Sequence, residues 1–139
     1  MIELHSEVDF KLSDETKYSD WVSRVLISEG MFTGAVAYIF CTDDYLLSMN
    51  RKHLNHDSLT DIITFGYGKG QEVSGDIFIS LDRVRENAET YGESFMDELH
   101  RVMAHGLLHL CGYDDKSDEE KDVMRSKEEE KMKLFHVEQ

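Results

Sequence analysis

The residues in this chain best suited to chemistry are His105, His109 and Asp115, in the skeleton H-x-x-x-H-x-x-G-x-x-D. Two histidines four apart on a helix share a face, one turn apart. Gly112 can end that helix in a left-handed conformation and turn the chain back. Asp115 can then bring a carboxylate to the same point. Two imidazoles and one carboxylate make a three-ligand transition-metal site with a position left for water, which is how catalytic zinc sites are built. Against this stands a plainer reading. The histidines would be half-buried hydrogen-bonding residues, Gly112 a helix cap, and Asp115 part of the acidic entry to the next helix. Asp114 is adjacent and equally acidic, so only the spacing from Gly112 favours Asp115.

These residues need a scaffold, and the hydrophobic pattern supplies one. Leu4 to Phe10 reads as a first strand. Ser13 to Glu29 reads as a helix with an apolar stripe of Tyr18, Trp21, Val22 and Val25. The apolar run from Gly34 to Cys41 is expected to be a strand buried on both faces. Asp43 is placed to cap a helix carrying Leu46, Met49 and His53. Asp61 to Tyr67 and Gly75 to Leu81 read as a hairpin across the turn-rich segment from Gly68 to Glu72. Helices fill the rest. One spans Asp82 to Tyr91, and one opens at Ser94 and runs to Cys111 with Phe95, Leu99, Val102, Gly106 and Leu110 on its core face. A charged last helix opens with a Ser117 and Glu120 capping box and runs to about Phe135. The order β-α-β-α-β-β-α-α-α predicts an α+β fold. A small mixed four-stranded sheet would pack with about five helices, and the metal site would lie at the end of the His-bearing helix.

Composition narrows the function classes. The 139 residues suit one domain, residues 1–139, large enough to bury a core. The net charge of −14 gives no help to general nucleic-acid binding, although much of it lies after Asp114. Cys41 and Cys111 form no framework and no CxxC motif, which fits free thiols in a cytoplasmic protein. No apolar run reaches membrane-spanning length, so no membrane partner is expected. The segment Met1 to His5 lacks the basic and apolar pattern of a secretory leader. His5, His53, His56, His100 and His136 are expected to be surface or ordinary packing residues.

The spacing equals the first half of a metzincin protease signature, H-E-x-x-H-x-x-G-x-x-H. Such a protease needs a glutamate directly after the first histidine as general base. Here that position is Gly106, which cannot take a proton. Glu98, two turns earlier, is expected to be too far to replace it.

The same stretch resembles the motif of the YbeY family of endoribonucleases, H-G-x-L-H-L-x-G-Y-D-H, with Asp115 in the place of a third histidine. Asn50, Asp57, Thr60-Asp61 and Phe65 are similar to a second family block, L-N-x-x-Y-R-G-x-D-x-P-T-D-V-L-S-F. The segment Gly75-Asp76-Ile77-Phe78-Ile79-Ser80 is similar to a third, G-D-I-x-I-S. The resemblance covers roughly residues 35 to 116. It implies a cytoplasmic endoribonuclease with one zinc ion, acting on single-stranded RNA. The implied role is maturation of ribosomal RNA, notably the small-subunit 3′ end, and quality control of ribosomes, with ribosomal RNA or a ribosomal subunit as partner. It also implies that His105 and His109 are ligands, and Asp115 by position.

Two positions depart from the family pattern. Leu54 stands where an arginine is usual, and Leu59 where a proline precedes Thr60-Asp61. An arginine near a metal is a phosphate clamp. Arg101, one turn before His105, is the candidate replacement, with pairing to Asp97 as the plainer alternative. Arg51 is a weaker candidate. Thr60 and Asp61 are expected to order the turn into a strand. Asp76 is read either as a partner of a ligand histidine or as the start of a strand. Two further functions stay open. One is a zinc peptidase, which the missing glutamate counts against. The other is a binding module for ribosome assembly that keeps the metal only for structure.

Overall fold

The computed structural model describes residues 2–53 and 60–136, with the side chain of His53 left aside. Leu54, His56, Asp57 and Leu59 lie outside the described residues, so the departures from the family pattern at Leu54 and Leu59 have no structural account.

The element order matches the sequence expectation. In chain order the elements are β1 (Ile2–Ser6), α1 (Glu15–Ser28), β2 (Phe32–Cys41), α2 (Asp43–His53), β3 (Ile62–Gly66), β4 (Glu72–Ser80), α3 (Leu81–Tyr91), α4 (Phe95–Leu110) and α5 (Asp118–Lys133), then a 3-10 turn at Leu134–His136. The sheet is mixed, in the order β1-β2-β4-β3. β1 and β4 flank β2 in parallel, and β3 closes the hairpin antiparallel to β4. The fold is α+β, with four strands and five α-helices among the described residues, as the pattern of apolar runs implies.

The boundaries moved where tertiary contacts compete with local pattern. β1 ends at Ser6. Phe10 leaves the strand direction to pack edge-on against Phe40 and Phe95. β4 begins at Glu72, inside the segment read as turn, because Phe32 and Thr33 of β2 pair with Glu72 and Val73. α1 is capped by Asp14, whose carboxylate accepts from the Lys17 amide. The capping box of Ser117 and Glu120 opens α5 as the sequence indicated.

β2 is not buried on both faces along its length. Val36, Tyr38 and Phe40 face the main core, while Ala37 and Ile39 between them are partly exposed. On the core face, α1 and α4 pack against β2 and β4, with Trp21, Val25, Ile77, Ile79, Leu99, Met103 and Leu107 fully enclosed. On the opposite face α2 brings Leu46 against Cys41 and Ile63 in a smaller cluster.

α4 is the central helix. Leu99, Val102 and Gly106 of its expected core face are buried, and so are Met103, Ala104, Leu107 and Leu108. It approaches the sheet closely at Gly106. A Cβ built there would stand 2.8 Å from Ile77 Cγ2 and 2.9 Å from Ile62 Cδ1. The residue beside His105 is therefore a packing glycine, and its smallness sets the depth of the helix on β3 and β4. This face of α4 points at the sheet, so the position where a peptidase carries its glutamate does not face the histidine pair.

Candidate metal centre

His105 and His109 lie on the last two turns of α4, with ring centroids 4.5 Å apart. The helix then stops by the mechanism that Gly112 allows. Gly112 takes φ 105°. The Gly112 amide donates to the His109 carbonyl at 3.0 Å and the Tyr113 amide to the Leu108 carbonyl at 3.0 Å. These are the paired bonds of a Schellman ending, which satisfies the last carbonyls and reverses the chain. The reversal carries Asp115 back over the histidines. Tyr113 holds the turn from the other side, donating its hydroxyl to Glu29 at 2.5 Å. Glu29 is in turn paired with the buried Lys131 at 2.6 Å.

Asp115 Oδ2 lies 3.3 Å from His105 Nε2, and Asp115 Oδ1 lies 3.7 Å from His109 Nε2. One ligand atom from each of the three residues falls within 4.8 Å of the others. The three residues singled out by spacing therefore converge, and Asp115, not the exposed Asp114, faces the pair. Two ring nitrogens and a carboxylate oxygen suit zinc and several other divalent ions.

The imidazole of His105 is held from behind. Its Nδ1 lies 2.6 Å from Glu128 Oε2, on α5. An ionised carboxylate only accepts, so this close contact calls for a hydrogen on Nδ1, which in the neutral ring would leave the Nε2 lone pair for an ion. This is the arrangement of a metal-ligating histidine with a carboxylate partner. Burial pushes the His105 pKa down, but the hydrogen bond and charge of Glu128, with Asp115 and Asp61, outweigh it and hold the ring above its ordinary value. Asp76, one candidate for such a partner, is elsewhere. It lies within β4 and accepts from Tyr67, so its place in the G-D-I block reflects the strand.

A cleft of about 190 Å³ adjoins His105, lined by Asp61, Glu98, Arg101 and Glu128 among others. Arg101 is there, as its spacing from His105 implied. Its partners are not Asp97 but glutamates from two helices. Arg101 Nη1 lies 3.3 Å from Glu128 and Nη2 2.6 Å from Glu129, while Nε is 3.9 Å from Glu98. Asp61 and Thr60 do order the entry to β3. The Ser80 amide donates to the Asp61 carbonyl at 2.9 Å, and Thr60 Oγ1 donates to the Ile62 carbonyl at 3.3 Å. Asp61 also presents its carboxyl to the cleft, where burial, with Glu128 and Asp115, raises its pKa against the pull of His105. Glu98 is buried, and burial pushes its carboxyl up to about 7 despite Arg101. His100 is an ordinary core residue, its Nε2 2.8 Å from the Tyr18 hydroxyl.

Sequence reasoning missed Glu128, Asp61 and Glu98 as members of this site. One signal for Glu128 was present. Met124, Glu128 and Lys131 fall on one face of α5 at helical spacing, and all three are buried. A charged residue on a buried stripe needs a partner.

A model of the family described as endoribonuclease YbeY matches residues 3–136. The chain belongs to the YbeY family. It is 55% identical to the endoribonuclease YbeY of Flavobacterium psychrophilum, over all of this chain and 99% of that one. It is 53% identical to that of Flavobacterium johnsoniae, over the full length of both. Among more distant relatives, the Bacteroides thetaiotaomicron protein of the same name is 51% identical over 79% of this chain and 80% of its own. The solution structure of a Thermotoga maritima protein superimposes with a TM-score of 0.66, covering 97% of this chain and 89% of that one at 24% identity. The family membership makes the His105, His109 and Asp115 cluster the candidate active centre of the fold.

Proposed function

We propose that the chain is a zinc-dependent endoribonuclease that hydrolyses phosphodiester bonds of single-stranded RNA in the maturation of ribosomal RNA, including the small-subunit 3′ end, and in ribosome quality control. The observation that carries this reading is the convergence of His105, His109 and Asp115 within a chain that matches the family from residue 3 to 136. His105 Nε2, His109 Nε2 and an Asp115 oxygen would hold the ion. When bound, zinc supplies Lewis acidity to water or to a phosphoryl oxygen. Glu128 lies behind the His105 ring, 2.6 Å from Nδ1. Arg101 is the residue for the phosphate. Its Glu129 partner has a half-exposed side chain, which can turn to solvent and leave Nη2 to a phosphate oxygen. Glu98, with a pKa near neutrality, can hold or release a proton in the same cleft.

The peptidase alternative lacks its base, because Gly106 faces Ile77 and Ile62 and leaves no space for a side chain. Free Cys41 and Cys111 accord with the cytoplasmic setting the proposal assumes. Among the described residues no helix is long and apolar enough to cross a membrane. The test is incubation of the purified protein with single-stranded RNA and with casein, each with and without a chelator. Chelator-sensitive cleavage of RNA alone is the expected result. Cleavage of casein would favour the peptidase. Cleavage of neither would favour a binding module with a structural metal.

A further inference from the structure

Glu128 is 7% exposed and uses both carboxylate oxygens. Oε2 lies 2.6 Å from His105 Nδ1, and Oε1 lies 3.3 Å from Arg101 Nη1. We propose that Glu128 is a positioning residue of the metal centre: it fixes the Nδ1–H tautomer of His105 and ties the orientation of that ring and of Arg101 to the docking of α5 on α4. This inference rests on the metal reading above, but not on RNA being the substrate.

The geometry supports both halves. A neutral imidazole has two tautomers, and the one with hydrogen on Nε2 cannot ligate through Nε2. Two acceptor-only carboxylates face the ring, and Glu128, buried and 2.6 Å from Nδ1, outcompetes the more exposed Asp115, 3.3 Å from Nε2, so the competent form is favoured before any ion arrives. The ring plane is set as well, because the hydrogen bond and the Asp115 contact lie on opposite edges of the imidazole. Burying a carboxylate is costly unless it is paired, and Arg101 supplies the charge that lets Glu128 stay there. Glu128 is itself held by its neighbours on the helix. Met124, one turn before it, is enclosed in the core. Lys131, one turn after it, is paired with Glu29, and the Lys131 carbonyl accepts from Trp21 Nε1 at 2.8 Å. Outer partners of this kind affect metal affinity by roughly 10- to 100-fold.

The experiment uses the full chain and two variants, Glu128→Gln and Glu128→Ala. Zinc affinity is measured by competition with a chromophoric chelator. The His105 tautomer is read in the metal-free protein by ¹⁵N NMR of the imidazole nitrogens, at a pH where the ring is neutral. The wild type is expected to carry the proton on Nδ1. Glu128→Ala is expected to bind zinc roughly 10- to 100-fold more weakly and to show mixed tautomers. Glu128→Gln, whose amide oxygen still accepts, is expected to lose less. Wild-type protein with the proton on Nε2 overturns the proposal, and that result needs no variant to fold. So does a folded Glu128→Ala protein with zinc affinity within twofold of wild type. Neither readout involves RNA. If Glu128 behaves as stated and RNA is not cut, the nuclease reading fails alone.

Discussion

Gly106→Ala tests whether the depth of α4 on the sheet is set by the absence of a side chain. Two opposing effects decide the sign. Alanine is the better helix former by about 1 kcal/mol, so on propensity alone the variant would be more stable. The new methyl, however, would stand 2.8 Å from Ile77 Cγ2, 2.9 Å from Ile62 Cδ1 and 3.2 Å from Ile77 Cδ1. Ile62 Cδ1 is a side-chain end and can rotate. Ile77 Cγ2 sits on the branched Cβ of a fully buried residue on β4, and its rotamer is stiff. Overpacking of this kind costs roughly 1–3 kcal/mol. The net expectation is a loss of about 0–2 kcal/mol, at most a few degrees in Tm for a chain of this size. Relief by lifting α4 would move His105, the next residue, relative to Glu128 and Asp115, so zinc affinity should fall as well. Urea unfolding at constant pH measures the first effect and chelator competition the second. A Gly106→Ala protein more stable than wild type by the full propensity gain of about 1 kcal/mol would refute the packing role. The residue beside His105 would then need another explanation.

Further expectations concern the ligand set and two buried titrating groups. Asp115 has a side chain 40% exposed. Asp115→Ala should therefore leave thermal stability of the metal-free protein nearly unchanged while zinc affinity drops at least tenfold. Full metal retention would remove Asp115 from the ligand set. Burial lowers the His100 pKa from 6.5 to about 4. The unfolded chain takes this proton below about 6.5 and the folded chain only near 4, so stability is complete above 6.5 and is lost as pH falls toward 4, by up to about 3 kcal/mol. His100→Gln should flatten that acid limb in urea titrations at pH 7.5 and 5, and an unchanged slope would contradict it. Glu98 has the opposite sign. Its folded pKa is raised to about 7, so the folded state holds a proton between about 4.5 and 7 that the unfolded chain has released. Stability from this group grows as pH falls through 7, and above 7 the buried charge is a cost. Glu98→Gln should stabilise the protein by about 1–3 kcal/mol at pH 8.5 and by much less at pH 5. Equal effects at both pH values would show that Glu98 does not titrate in this range.

The sequence alone determined what depends on short-range periodicity. His109 follows His105 by four positions, so their shared face follows from helical geometry. Gly112 three residues later identifies the stop, and Ser117 with Glu120 the next start. The order of strands and helices was legible for the same reason, since alternation and 3.6-residue spacing are local signals. Tertiary structure decided the rest. Asp115 and Asp114 differ by one position: spacing from Gly112 favoured Asp115, and the path of the chain after Gly112 is what brings it to the histidines. Glu128 comes from a helix 23 residues beyond His105, and Asp61 from the entry to β3, 44 residues before it. Nothing local links either to the histidines. Gly106 read as a missing base, yet its function is the space it leaves against Ile77 and Ile62. Local rules govern which way a side chain leaves its own helix. They say nothing of what another element places opposite, because that depends on how the helices dock on the sheet.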